Sequence, residues 1–212
     1  MAKKARENSE RSMDPAAQAI LIRAAALGIG TAFSRAESMP PCNIGSGKSG
    51  MSCKNCFMGP CRITKDGQVG VCGATLETIA ARNLARAIAS GAAAHSDHGR
   101  DLAFTLEAVA LGQAPGYAIR DVGKLWDVAQ RVGIRTEGRP VNDVALDIAR
   151  KALMEFGQQR GELTYLKHAP RKRYELWKKM ELAPRGIDRE IVDVLHRTHM
   201  GDAQDPAPIL KG

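Results

Sequence analysis

Aromatic residues are scarce in this chain: Phe, Trp and Tyr together make up 4% of its 212 positions. A β-sandwich leans on aromatic and β-branched side chains, so the scarcity weighs against one. The apolar content of 44% rests mainly on Ala, Leu, Ile and Val, which suits close-packed helices. Long hydrophobic runs are missing too. No stretch approaches the roughly 18 apolar residues that span a bilayer, so no membrane span is expected. No apolar segment follows the charged start, so no secretory leader is expected and the reading is cytoplasmic. Acidic residues are in deficit, with 23 Asp and Glu against 31 Lys and Arg, a net charge of +8. The excess gathers at Lys3, Lys4 and Arg6, and again at Arg171, Lys172, Arg173, Lys178 and Lys179. Both runs read as solvated faces or contact surfaces rather than a nucleic-acid site. There is no internal repeat, and no cysteine follows Cys72.

What is there divides into three parts. Residues 1–13 read as a mobile basic arm, 14–200 as a helical domain, and 201–212 as a tail or linker rich in Asp, Pro and Gly. Asp14 followed by Pro15 predicts a helix start, with the helix running over 14–36. Leu76, Ile79, Ala80, Leu84 and Ile88 recur at helical spacing and predict a helix over 75–94. Further helices are expected over 99–111, 121–132, 141–156, 170–180 and 188–199, punctuated by Gly and Pro. No alternating strand pattern of useful length occurs. The expected fold is therefore all-α, a multi-helix bundle interrupted near its N-terminus by an irregular Cys- and Gly-rich loop over 38–74. A loop of that length inside a domain usually carries function.

All five cysteines fall in that loop. Four form the series Cys53-x2-Cys56-x4-Cys61-x10-Cys72. In a cytosolic setting such crowding points to metal or redox chemistry rather than a disulfide framework. Four thiolates are the usual protein shell of a [4Fe–4S] cluster or of zinc. A zinc ribbon tends to pair two short Cys-x2-Cys knuckles, whereas here three ligands crowd together and one arrives later. The spacing favours iron–sulfur, with a zinc site or plain thiols as alternatives. Gly59, Gly67, Gly70 and Gly73 would let the backbone come close to the inorganic sulfides. Backbone N–H groups aimed there would raise the reduction potential. Cys42, eleven residues before Cys53, reads from its setting alone as a lone thiol.

The run Cys53 to Ile63 resembles the cluster-binding signature of nickel-containing anaerobic carbon monoxide dehydrogenases. So do Ala80 to Leu84 followed by Gly91 to Arg100, and Pro184 to Val192 continuing into His196 to Gly201. These segments keep the family's order over roughly residues 40–201. The resemblance implies an N-terminal helical domain of a homodimeric enzyme that interconverts CO and water with CO2, two protons and two electrons. It implies a [4Fe–4S] B-cluster on Cys53, Cys56, Cys61 and Cys72. It aligns Cys42 with a ligand of a further iron–sulfur cluster, the D-cluster, shared at the subunit interface. It also implies a ferredoxin-like electron acceptor and proton transfer by His95, with His98 beside it. The chain departs from the pattern at Ser52, where the family has a second interface-cluster cysteine. A hydroxyl is a poor substitute for a thiolate. Asp101 and Phe104 stand where some members continue the histidine series. The family's Ni–Fe–S cluster takes its ligands from two later domains, so the chain is expected to be a piece of a longer enzyme, or a short homologue partnering one, and inactive towards CO alone.

Other residues invite blander readings. His196 and His199, three apart on a predicted helix, suit packing or hydrogen bonding. Arg62 could face the cluster sulfides or pair with an acid, Arg82 and Asn83 read as structural, and Met58 is expected to cover an apolar wall of the cluster. Gly45-x-Gly47-Lys48-Ser49 has the wrong spacing for a phosphate loop. The competing reading of the whole chain is a helical interaction module braced by a four-cysteine zinc site.

Overall fold

The computed structural model describes residues 11–38 and 49–212. In chain order it contains helices α1 (Pro15–Ala26) and α2 (Ala32–Ser38), then strands β1 (Ser52–Cys53) and β2 (Cys61–Arg62). There follow α3 (Leu76–Ala110), α4 (Val122–Arg131), α5 (Val141–Gly157), a 3-10 turn at Thr164–His168, α6 (Arg171–Lys179), α7 (Ile187–Arg197) and α8 (Pro206–Lys211). The expected helical fold is what is found, with two two-residue strands added. Among the described residues no helix is long and apolar enough to cross a membrane. The chain divides into two compact units, Met1–Ala80 and Ala81–Gly212, and the boundary falls within α3.

In the first unit the Asp14 side chain accepts the Ala16 amide at 3.0 Å, and Pro15 opens α1 as expected. The helix expected over 14–36 is two helices. Gly28 adopts φ +67°, its N–H donates to the Ala25 carbonyl at 3.1 Å, and Ile29 N–H reaches Ala24 at 2.9 Å. This paired closure needs a left-handed residue, which glycine supplies without a Cβ penalty. Helix α2 then starts afresh at Thr31, whose hydroxyl accepts the Ser34 amide while Ser34 Oγ accepts that of Thr31.

Helix α3 merges the two helices expected over 75–94 and 99–111. Thr75 Oγ1 accepts the Thr78 amide at its start. Gly91 and Gly99 in its interior each cost about 1 kcal/mol relative to Ala, which is too little to break a helix with packed neighbours. No proline intervenes between Leu76 and Ala110. The helix stops at Gly112, φ +70°, by the same paired closure onto Ala108 and Val109.

The second unit has two apolar clusters. Ala81, Ala85 and Ala89 line one side of α3 at four-residue spacing, and Val194 and Ile209 pack on them. Small side chains on α3 let α7 and α8 come close. The second cluster joins Leu125 and Ala129 of α4 to Val144, Ala145 and Ile148 of α5. The terminal segment read as a tail is folded: Asp205 accepts the Ala207 amide at 3.0 Å, Pro206 opens α8, and Ile209 is 1% exposed.

Polar contacts tie the unit together. Arg82 is buried and its Nη2 donates to the Ala203 carbonyl at 2.9 Å. Arg86 donates to the Thr198 hydroxyl at 3.0 Å. The Arg100 guanidinium grips both oxygens of Asp188, at 2.7 and 3.2 Å, and lies 4.4 Å above the Phe156 ring.

Candidate metal centre

The four cysteines of the motif are held by the first unit. β1 and β2 form a short antiparallel ribbon in which Cys53 directly opposes Cys61 and Ser52 opposes Arg62. Directly opposed side chains share one face, with Cβ atoms about 4.5–5.5 Å apart. The Cys53 and Cys61 sulfurs therefore leave the ribbon on one side. By strand alternation Ser52 and Arg62 face the other way, and Arg62 is exposed.

Cys56 lies half-buried in the connection between the strands. That connection closes tightly at Gly59, where a Cβ would stand 2.9 Å from the Cys61 nitrogen and 3.1 Å from the Cys53 carbonyl oxygen. Only glycine fits so close an approach. Met58, expected against the cluster wall, is 52% exposed, and the neighbouring Phe57 is fully exposed.

Cys72 returns to the ribbon through a turn over 70–74. Gly70 N–H donates to the Ala74 carbonyl at 2.8 Å and Gly73 N–H to the Gly70 carbonyl at 2.9 Å. This turn aims a donor at a sulfur of the motif: Val71 N–H to Cys61 Sγ, 3.4 Å. Beneath the ribbon, Cys53, Ile63, Ala74 and Ile79 are buried together, with Cys61, Cys72 and Leu76 packed against them. Three of the four thiols thus share one apolar cluster at the start of α3.

This donor set fits a [4Fe–4S] group. It is all sulfur, half-buried and floored by apolar side chains, with an amide directed at one sulfur. Among the described residues, no three Cys, His, Asp or Glu side chains converge tightly enough to hold a single metal ion. A cubane asks for less convergence, because each thiolate takes its own iron.

The other candidates fall elsewhere. Cys42 lies outside the described residues, as does most of the Gly45–Ser49 run. His95 and His98 are exposed on α3, and so are Asp101 and Phe104. His95 and His98 are neighbours on one side of the continuous helix, whereas the drift of about 60° per three-residue step carries Phe104 round to the opposite side. His196 is exposed and lies 3.3 Å from Asp202, and His199 is exposed.

Two arrangements escaped the sequence reading. The Val71 amide has no side-chain signature; its only herald is the flanking pair Gly70 and Gly73. The Arg100–Asp188 pair joins two motifs that were read separately, Gly91 to Arg100 and Pro184 to Val192. Asp188 holds the Arg100 guanidinium charged, raising its pKa above the ordinary value. Beside it, the Arg185 guanidinium holds the Glu190 carboxyl below the usual carboxylate range through a bidentate pair at 2.9 Å on both oxygens.

Comparison with known proteins agrees with this geometry. The profile of the Prismane/CO dehydrogenase family matches residues 51–212, and the chain belongs to that family. It is 46% identical over 205 residues to carbon monoxide dehydrogenase 1 of Methanosarcina mazei, covering 95% of this chain and 32% of that protein. It is 42% identical over 206 residues to carbon monoxide dehydrogenase 2 of Carboxydothermus hydrogenoformans, with the same coverage of each. Among solved structures, the nickel-free carbon monoxide dehydrogenase of Thermococcus sp. AM4 superposes with a TM-score of 0.82 at 41% identity, over 100% of this chain and 34% of that one. An acetyl-CoA synthase/carbon monoxide dehydrogenase, whose description names NiZn[Fe4S4] and NiNi[Fe4S4] clusters, gives the same score at 35% identity, over 99% and 32%. The chain spans about a third of the length of the curated relatives it matches.

Proposed function

We propose that this chain is the electron-relay part of a nickel-dependent anaerobic carbon monoxide dehydrogenase and holds one [4Fe–4S] cluster on Cys53, Cys56, Cys61 and Cys72. The observation that carries the reading is the convergence of three of these thiols in one apolar cluster, with Cys53 and Cys61 opposed across the ribbon. Family membership supports it. When bound, such a cluster takes up and releases one electron at a time. The chain's own residues keep water off the sulfurs from below, through Ile63, Ala74 and Ile79, while Cys56, half-buried, stands outside that apolar cluster.

The enzyme as a whole would interconvert CO and water with CO2, two protons and two electrons. The sequence has no cysteine after Cys72, so the thiolates of the nickel centre are supplied by other parts of the enzyme. His95 and His98, on one side of α3, are the chain's candidates for moving the released protons, because imidazole titrates near neutrality. Cys42 is the candidate ligand of an interface cluster in a homodimer, with Ser52 a weak substitute for a second thiolate. A ferredoxin-like protein is the proposed acceptor.

Anaerobic reconstitution of the full chain with iron and sulfide tests the core of this reading. The expected result is about four irons per chain and the broad visible absorption of a four-thiolate cubane. Cys56→Ala should reduce cluster yield sharply while leaving the helical circular dichroism intact. One tightly held zinc per chain, with no uptake of iron, would overturn the proposal in favour of the interaction module.

A further inference from the structure

The turn over 70–74 has a specific electronic consequence. Val71 is exposed at its side chain, so its hydrophobic contacts do not explain its place. Its backbone, however, is fixed on both sides. Gly70 and Gly73 bond to Ala74 and to each other, and Gly73 stands at φ +88°, where an L side chain is strained. The outcome is one N–H held 3.4 Å from Cys61 Sγ. Gly70 contributes closeness as well: a Cβ there would already stand 3.6 Å from the same sulfur. This backbone amide reaches the sulfur across ten residues of sequence.

We propose that the Val71 amide sets the reduction potential of the cluster through its Cys61 corner. The inference rests on the four-cysteine cluster reading and deepens it. A hydrogen bond to a ligand thiolate withdraws electron density from the iron–sulfur bond and stabilises the reduced, more negative state. Cys61 combines a half-buried sulfur with a directed donor. The residue that matters is thus invisible by side-chain type: any L residue except proline supplies the same donor at position 71.

The test uses the reconstituted full chain and two substitutions. Val71→Ala keeps the amide and Val71→Pro removes it. By electron paramagnetic resonance under redox titration, V71P should reduce at a more negative midpoint than the parent, while V71A stays at the parent value. A pulsed resonance experiment on 15N-valine-labelled protein covers the case in which V71P fails to load iron. The reduced cluster of the parent should show a coupled 15N that disappears in labelled V71A, whose position 71 is no longer valine. The inference is overturned if V71P and the parent share one midpoint, or if the valine coupling is absent from the parent or persists in V71A. Failure of the parent to assemble any iron–sulfur cluster would instead refute the cluster reading itself.

Discussion

Ile79 shows how a single residue connects the helix to the metal loop. It is 0% exposed and packs with Cys53, Ile63 and Ala74 beneath the sulfurs. Ile79→Ala should cost about 2–5 kcal/mol, because the lost transfer energy adds to a cavity the ribbon cannot fill. Chemical denaturation followed by circular dichroism measures it, and cluster loading should fall in parallel. Glu190 carries a pH-dependent contribution. Its carboxyl is depressed mainly by hydrogen bonding to Arg185. A depressed folded pKa gives stability that is fully present above the unfolded value, about 4.3, and disappears as pH falls through the folded value. Glu190→Gln should therefore lower the melting temperature at pH 7 and match the parent in strong acid. The pair is partly exposed and water screens it, so the loss should be about 1 kcal/mol or less. Melting curves between pH 7 and pH 2 check both ends.

At the scale of elements, the helix ends at Asp14 and Pro15, and those of α4 to α7, were legible within a residue or two because cap and breaker residues act locally. The unbroken course of α3 was not legible. Gly91 and Gly99 are weak local breakers, and the packing of the Ala81, Ala85 and Ala89 face against distant Val194 and Ile209 outweighs them. The opposite error occurred at α1. The helix expected over 14–36 runs through Gly28, yet the left-handed backbone of that residue ends the helix. Helix α8 was missed because Asp, Pro and Gly near a terminus resemble a linker, and burial of Ile209 depends on residues far away in sequence. The cysteine spacing points to a four-thiolate site but carries no sign of the β1–β2 ribbon, whose pairing is too short for an alternating pattern. The alanine face also sets a tolerance: Ala85→Leu should destabilise by about 1–3 kcal/mol, since α7 and α8 leave no room. Leucine at exposed Ala87 should be nearly neutral in the same denaturation assay.

For the whole molecule, the division near Ala80 separates the cysteine-bearing segment from the α4–α5 core. A bound cluster stabilises only the state that binds it. Stripping iron with a chelator under anaerobic conditions should therefore raise amide hydrogen exchange over residues 52–74. Exchange in α4 and α5, whose protection comes from Leu125, Ala129 and Val144, should stay where it was. Uniform loss of protection across both units would show that the chain unfolds as one body.

The direct opposition of Cys53 and Cys61 also gives the metal-free chain a vulnerability to air. Facing residues on paired antiparallel strands place their Cα atoms about 4.5–5.5 Å apart, inside the range a disulfide bridges, and a small twist of so short a ribbon closes their Cβ atoms from about 4.5–5.5 Å to the roughly 3.5–4.5 Å the bond needs. Both are thiols here. Dioxygen can accept their two electrons and two protons and leave them joined, so protein purified aerobically without a reductant should lose two alkylatable thiols and refuse iron. Dithiothreitol should restore both together, and ribbon geometry would then determine how long the empty protein remains competent for assembly.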